Sequence, residues 1–184
     1  VVENTKMVIY FLRHANAGQK HFSSLERDEK RPIDKVGIEQ SHDVGRALAA
    51  IGVKANVIIS SPLIRATQTA AIVAQELGHE ERIVTDEALR PDATFEQFKV
   101  LLGRYEDKPS IMVVGHDPSM TEFVNKVLSN GAPLEAVELK KAGVAKVEKE
   151  LRRPAILRWC MTPKVVQKIQ STSARRSRPK TDSK

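Results

Sequence analysis

Two short apolar runs decide what this chain can fold into. Met7 to Leu12 and Ile111 to Val114 are apolar at successive positions, so neither has a face suited to water. Each is far too short to cross a bilayer. A strand of that kind is buried on both faces, as in a parallel sheet with helices packed on either side. The first run gives way to Arg13-His14 and the second to Gly115-His116-Asp117. Ligands of open α/β sheets bind just beyond the carboxyl ends of the strands. Both histidines therefore fall where a site would be.

The rest of the chain alternates in the same manner. Lys6 to Leu12 forms the first strand, and Asn16 to Ile33 is polar and irregular. Asp34 caps a helix running to about Ile51, with Ile38, Val44, Leu48 and Ile51 as apolar positions and Gly52 as its stop. Ala55 to Ile59 is a second strand. Ser60-Ser61-Pro62 reads as a hydroxyl cap followed by Pro at the first helical position, opening a helix to about Leu77. Arg82 to Thr85 is a short third strand. Thr94 with Gln97 forms a capping box for a helix whose apolar side carries Phe95, Phe98, Leu101 and Leu102. Ser110 to Gly115 is the fourth strand, and Asp117-Pro118 repeats the cap-plus-Pro start for a helix ending near Asn130-Gly131. Gly143 to Lys149 and Ala155 to Met161 form an antiparallel pair, and a short helix runs from Pro163 to Gln170. From Ser171 the composition is that of a disordered tail. The pattern predicts a three-layer α/β/α sandwich around a mostly parallel sheet over residues 1–163, with a basic tail over 164–184.

Charge is unevenly spread. The net charge of the chain is +7, but Lys164 to Lys184 holds seven basic residues and one acid, so the body is close to neutral. The basic balance therefore does not describe a DNA-binding face. The tail is suited to an acidic surface, membrane or nucleic acid, or serves as a solubilising end. It has no interleaved aromatics for stacking on single strands. Cys160 is the only cysteine, which excludes an intrachain disulfide and a cysteine metal cluster. No transmembrane or signal segment is visible, and the expectation is a cytoplasmic protein.

A third stretch joins the two histidines. Ser61-Pro62-Leu63-Ile64-Arg65-Ala66-Thr67-Gln68-Thr69 puts Arg65 in the first turn of a helix that follows a strand. Backbone N–H groups there favour an anion, and a guanidinium adds a planar fork matched to phosphate oxygens. Arg13, His14, Arg65 and His116 thus converge on one sheet edge. Cations gathered in a partly buried site repel one another unless an anion binds among them. A zinc site needs two or three histidines with a carboxylate, not histidines flanked by arginines. The constellation reads as a phosphoryl pocket with no metal and no cofactor.

Arg13-His14-Ala15, the block from Ser61 to Thr69, and Gly115-His116-Asp117 resemble in order and spacing the three signature blocks of the histidine phosphatase superfamily, also called phosphoglycerate mutase-like. The likeness covers roughly Lys6 to Met161. The short chain and the block Arg31-Pro32-Ile33-Asp34…Gly37 resemble the SixA-type phosphohistidine phosphatases. The resemblance implies a phosphoglycerate mutase-like fold and a metal-independent phosphatase. It implies His14 as nucleophile, forming a phosphohistidine, with Arg13, Arg65 and His116 around the transferred oxygens. His14 must then present an unprotonated nitrogen while its other nitrogen donates to an acceptor such as a backbone carbonyl. His116 is more useful protonated. Asn16 and Arg31 are secondary candidates for phosphate contact. Ordinary loop polarity accounts for them equally well.

Two departures stand out. The common first block has Gly where this chain has Ala15, a strained choice if that position needs a positive φ, although related SixA-like sequences carry Ala there too. In mutase-like members a Glu on the loop after the third strand protonates the leaving group. The comparable loop here offers Asp92 and Glu87, and Asp92 equally suits a helix cap. A phosphohistidine substrate, whose leaving nitrogen can already be protonated, needs such a donor less than an alkyl ester does. The substrate reading is a phosphohistidine on a partner protein. Alternatives are a small phosphoester, or a module that binds phosphate or a phosphoprotein without turnover.

Overall fold

A computed structural model describes residues 6–18, 28–150 and 153–176. The middle of the polar stretch, with His21, and the last eight residues of the basic tail lie outside the described residues. The elements in chain order are β1 (Lys6–Arg13), α1 (Lys35–Ala50), β2 (Val57–Ser60), α2 (Ile64–Glu76), β3 (Val84–Thr85), a 3-10 turn (Glu87–Leu89), α3 (Phe95–Gly103), β4 (Ser110–Gly115), α4 (Ser119–Leu128), β5 (Val144–Glu150), β6 (Arg153–Met161) and α5 (Pro163–Arg176).

The six strands form one sheet in the order β3-β2-β4-β1-β5-β6. β1, β2, β3 and β4 run parallel, and β5 and β6 add an antiparallel hairpin beside β1. The apolar runs of β1 and β4 lie side by side at the centre, where both faces are covered. Side chains of a strand alternate between faces, and β1 shows this directly. Ile9 and Phe11 join Phe98, Leu101 and Phe123 under α3 and α4. Tyr10 and Leu12 join Val44, Leu48, Ala70 and Val73 under α1 and α2. The result is the expected three-layer α/β/α sandwich with a mostly parallel sheet. Among the described residues, no helix is long and apolar enough to cross a membrane.

Several local expectations hold with small shifts. Asp34 caps α1 by accepting from the Gly37 N–H at 2.8 Å, and Thr94 with Gln97 completes the capping box of α3. Within α1, however, Ile38 and Ile51 are exposed, and the buried face is Gly37, Ser41, Val44, Gly45 and Leu48. Gly37 is there because the helix crosses the loop after β1 closely. A Cβ on it would lie 2.0 Å from the Asn16 carbonyl oxygen.

Three helix boundaries differ from the sequence reading. α2 begins at Ile64, not at Pro62, because the chain stays extended past β2 and the Ser61 N–H continues the ladder to the Val114 carbonyl at 2.8 Å. α4 begins at Ser119, and the Asp117 carboxylate accepts from Thr121 Oγ1 at 2.5 Å instead of capping the backbone. α5 continues to Arg176, beyond the Gln170 end expected for it. It packs on α1: Val166 is buried in that core, and Gln167 and Gln170 donate to Asp43 at 3.1 and 3.2 Å. The junction at residue 163 is therefore not the edge of the packed body.

Candidate active site

The parallel strands bring three motifs to one edge. In the ladder Arg13 stands opposite Gly115, and Ser60 stands opposite Val114. The backbone pairing runs one step past the strand ends, with the His14 N–H donating to the Gly115 carbonyl at 2.9 Å. His14 and His116 consequently face each other with ring centroids 5.0 Å apart.

His14 is buried, and its Nδ1 lies 2.7 Å from the Ala15 carbonyl oxygen. A carbonyl only accepts, so the proton sits on Nδ1 and Nε2 carries a free lone pair. Burial pushes the His14 pKa down to about 3, with the nearby charges of Arg65, Arg13 and Arg31 adding to the effect and the Ala15 hydrogen bond opposing it. The ring is neutral at pH 7. Ala15 is fully buried, its N–H donates to Thr69 Oγ1 at 3.1 Å, and its φ is not positive, so alanine carries no strain there.

His116 departs from expectation. It is buried, and its pKa falls to about 2, through burial first and then the charges of His14, Arg65, Arg90 and Arg13. The ring is neutral in the free site, not protonated. Its Nε2 meets Ser61 Oγ at 2.8 Å, and its Nδ1 is buried with no partner among the described residues. Ser61, which reads as a helix cap in the sequence, is instead a neighbour of this imidazole. A serine after a strand and before a proline gives no sign of that.

The two arginines are anchored by their outer nitrogens. Arg13 donates through NH1 to the Leu139 carbonyl at 2.8 Å and lies 3.4 Å from Asp117. Arg65 is only 4% exposed, and it donates to the Asp28 carbonyl at 2.8 Å and lies 3.4 Å from the Asp28 carboxylate. In each the Nε–H is buried without a partner among the described residues. Leaving a buried donor unpaired costs ~1–3 kcal/mol, more for a charged one. Arg13 Nε, Arg65 Nε and His116 Nδ1 are thus three buried nitrogens without partners among the described residues, on side chains that neighbour His14 or act on it by charge.

The secondary candidates are held by other partners. Asn16 donates to Asp34 and accepts from Lys141, each at 2.6 Å, which commits its side chain to the loop and the α1 cap. Arg31 donates to the Ala17 and Gly18 carbonyls at 3.0 and 3.1 Å and pairs with Asp28, although its charge still reaches His14. Asp92 and Glu87 have side chains 85% and 75% exposed, and both lean toward Arg90, at 3.8 and 3.5 Å. Among the described residues neither carboxylate contacts His14, His116, Arg13 or Arg65. The structure brings in Arg90 instead, whose charge acts on both His116 and Arg65. Among the described residues, no three His, Cys, Asp or Glu side chains gather as a metal site requires.

Comparison with known proteins gives this geometry a context. The model of the histidine phosphatase superfamily (branch 1) matches residues 9–91. An uncharacterized protein of Picosynechococcus is 32% identical over 141 residues, covering 75% of this chain and 82% of its own. Mouse mitochondrial serine/threonine-protein phosphatase PGAM5 is 37% identical over 89 residues, which are 48% of this chain and 29% of that protein. The solved structure of the protein histidine phosphatase SixA complexed with tungstate superposes with a TM-score of 0.75 at 21% identity, over 88% of this chain and 99% of SixA.

Proposed function

The chain belongs to the histidine phosphatase superfamily and is a phosphatase, and from that premise we propose that it acts on phosphohistidine side chains of proteins, without metal, through a phosphohistidine formed on His14. One observation carries this reading: near a histidine whose proton is held on Nδ1, three buried nitrogens lack partners among the described residues. In the first step His14 Nε2 attacks phosphorus, the bond to the leaving nitrogen breaks, and the leaving imidazole departs with its own proton. Arg13, Arg65 and His116 hold the three phosphoryl oxygens, offsetting their charge as the transition state forms. Water then attacks the phosphorus, the bond to His14 breaks, and inorganic phosphate leaves.

The neutral His116 fits this scheme if Ser61 donates its hydroxyl proton toward Nε2. The ring proton then lies on Nδ1 and points to a phosphoryl oxygen. The exposed positions of Asp92 and Glu87 support a nitrogen leaving group over an alkoxide, which would need an acid close by. The tetrahedral oxyanion on SixA supports the pocket's preference for tetrahedral anions.

Rapid-quench trapping in the presence of a chelator tests the reading. Phosphohistidine peptide, phosphoserine peptide and a small alkyl phosphate are each mixed with wild type and with His14→Ala. Acid-labile phosphate on the wild type alone, with the phosphohistidine peptide turned over fastest, is the expected result. Full turnover by His14→Ala would overturn the nucleophile. Faster turnover of phosphoserine peptide or of the small ester would overturn the substrate class.

A further inference from the structure

Arg90 follows the 3-10 turn, and its backbone is fixed against His116. The Ser119 hydroxyl lies 2.9 Å from the His116 carbonyl and 3.3 Å from that of Arg90. The carbonyl oxygen of Leu89, one residue earlier, is 3.0 Å from where a Cβ on Gly115 would sit. This loop therefore packs directly on the strand end that carries His116. The Arg90 charge weighs on His116 more than that of Arg13 does.

The Arg90 guanidinium is not simply dispersed in solvent. It is 28% exposed and hydrogen-bonds the Glu29 carboxylate, with Glu87 and Asp92 farther away at 3.5 and 3.8 Å. Glu29 adjoins Asp28, whose carboxylate lies 3.4 Å from Arg65. Two successive carboxylates thus sit on two cations at the pocket. A carboxylate and a phosphoryl group offer a guanidinium the same kind of oxygen.

We propose that Arg90 is a fourth ligand for the substrate's phosphoryl oxygens and that Glu29 holds its guanidinium until the phosphoryl group displaces the carboxylate. The proposal rests on the phosphatase reading for the identity of the anion. It adds that this pocket carries its own weak competitor. Glu29 is half exposed, so the competition has the strength of a solvent-screened ion pair.

Titration of inorganic phosphate at low ionic strength, with no turnover required, tests this on wild type, Glu29→Ala, Arg90→Ala, the double variant and Glu87→Ala. Glu29→Ala should bind phosphate roughly two- to fivefold tighter, the equivalent of one exposed ion pair. Arg90→Ala should bind about tenfold weaker or worse. The gain from Glu29→Ala should vanish in the Arg90→Ala background. Glu87→Ala removes the same charge without a close hydrogen bond, so it should gain less. Glu29→Gln and Arg90→Lys replace any alanine variant that melts early. An unchanged or weakened affinity in folded Glu29→Ala overturns the proposal. So does a gain that survives in the double variant, or one matched by Glu87→Ala, since either is a general charge effect. If wild type binds no phosphate, the pocket itself is misread and both readings fall. If it binds phosphate and Glu29→Ala gains nothing, only this one does.

Discussion

Removing the Ser61 hydroxyl isolates one atom of the proposed mechanism. Ser61 is fully buried and its Oγ lies 2.8 Å from His116 Nε2. In Ser61→Ala that buried nitrogen loses its partner, which costs ~1–3 kcal/mol of stability. The effect on rate has a separate origin. While Ser61 donates to Nε2, the ring proton stays on Nδ1, where a phosphoryl oxygen can accept it. That bias is worth one neutral hydrogen bond, ~1 kcal/mol, or about fivefold in the tautomer ratio. Complete loss of an oxyanion donor costs ~10²–10³ in kcat, which sets the upper bound.

The expected fall in kcat/KM for Ser61→Ala is therefore between about fivefold and a hundredfold, carried mainly by kcat because charge on the oxygens develops in the transition state. Ser61→Cys, with a weak S–H donor, should lie between the two. Steady-state kinetics on a phosphohistidine peptide measures the rates, thermal melting measures the stability, and ring nitrogen NMR of the phosphate-bound protein reports which nitrogen of His116 holds the proton. A folded Ser61→Ala with lowered Tm but unchanged kcat/KM would reduce Ser61 to a packing residue. A proton found on Nε2 in phosphate-bound wild type would mean that Ser61 does not donate to His116 and that Nδ1 is not the phosphoryl donor.

Other outcomes follow from the same geometry. Both active-site histidines have folded pKa values, about 3 and about 2, below the ordinary 6.5. The unfolded chain then binds more protons than the folded one between those values and 6.5, so stability is full above about pH 6.5 and falls as pH drops below it, by on the order of a few kcal/mol by pH 5. Urea unfolding at pH 7 and pH 5 should show this loss, and His14→Gln should lessen it. An unchanged midpoint in wild type would mean that the rings are not held neutral. Gly37→Ala should destabilise by at least ~1–3 kcal/mol in the same assay, because its Cβ meets backbone at 2.0 Å. A neutral result would show that α1 can lift freely from the loop. Asp92→Asn should change phosphohistidine-peptide turnover less than about threefold, as an exposed surface substitution. A hundredfold loss would make Asp92 the missing acid after all.

What the sequence made legible, and what it hid, separates along one physical line. The strands, the parallel order and the placement of Arg13, His14, Arg65 and His116 at one edge were readable because each group lies within a few residues of a strand end. Parallel strands then carry those ends to a single edge whatever the loops do. The proton on His14 Nδ1 was readable for the same reason, since its acceptor is the next residue's carbonyl. Asp28 on Arg65, Glu29 on Arg90, and Ser61 on His116 pair residues 37, 61 and 55 positions apart. No periodicity or local spacing encodes such pairs; the paths of the connecting segments do. Local signals even misled there, since the hydroxyl of Ser61 and the carboxylate of Asp117 resemble helix caps until the fold supplies better partners. The groups proposed to hold a phosphoryl group are thus set by strand ends. The partners that those groups meet, Asp28, Glu29 and Ser61, come from the connecting segments.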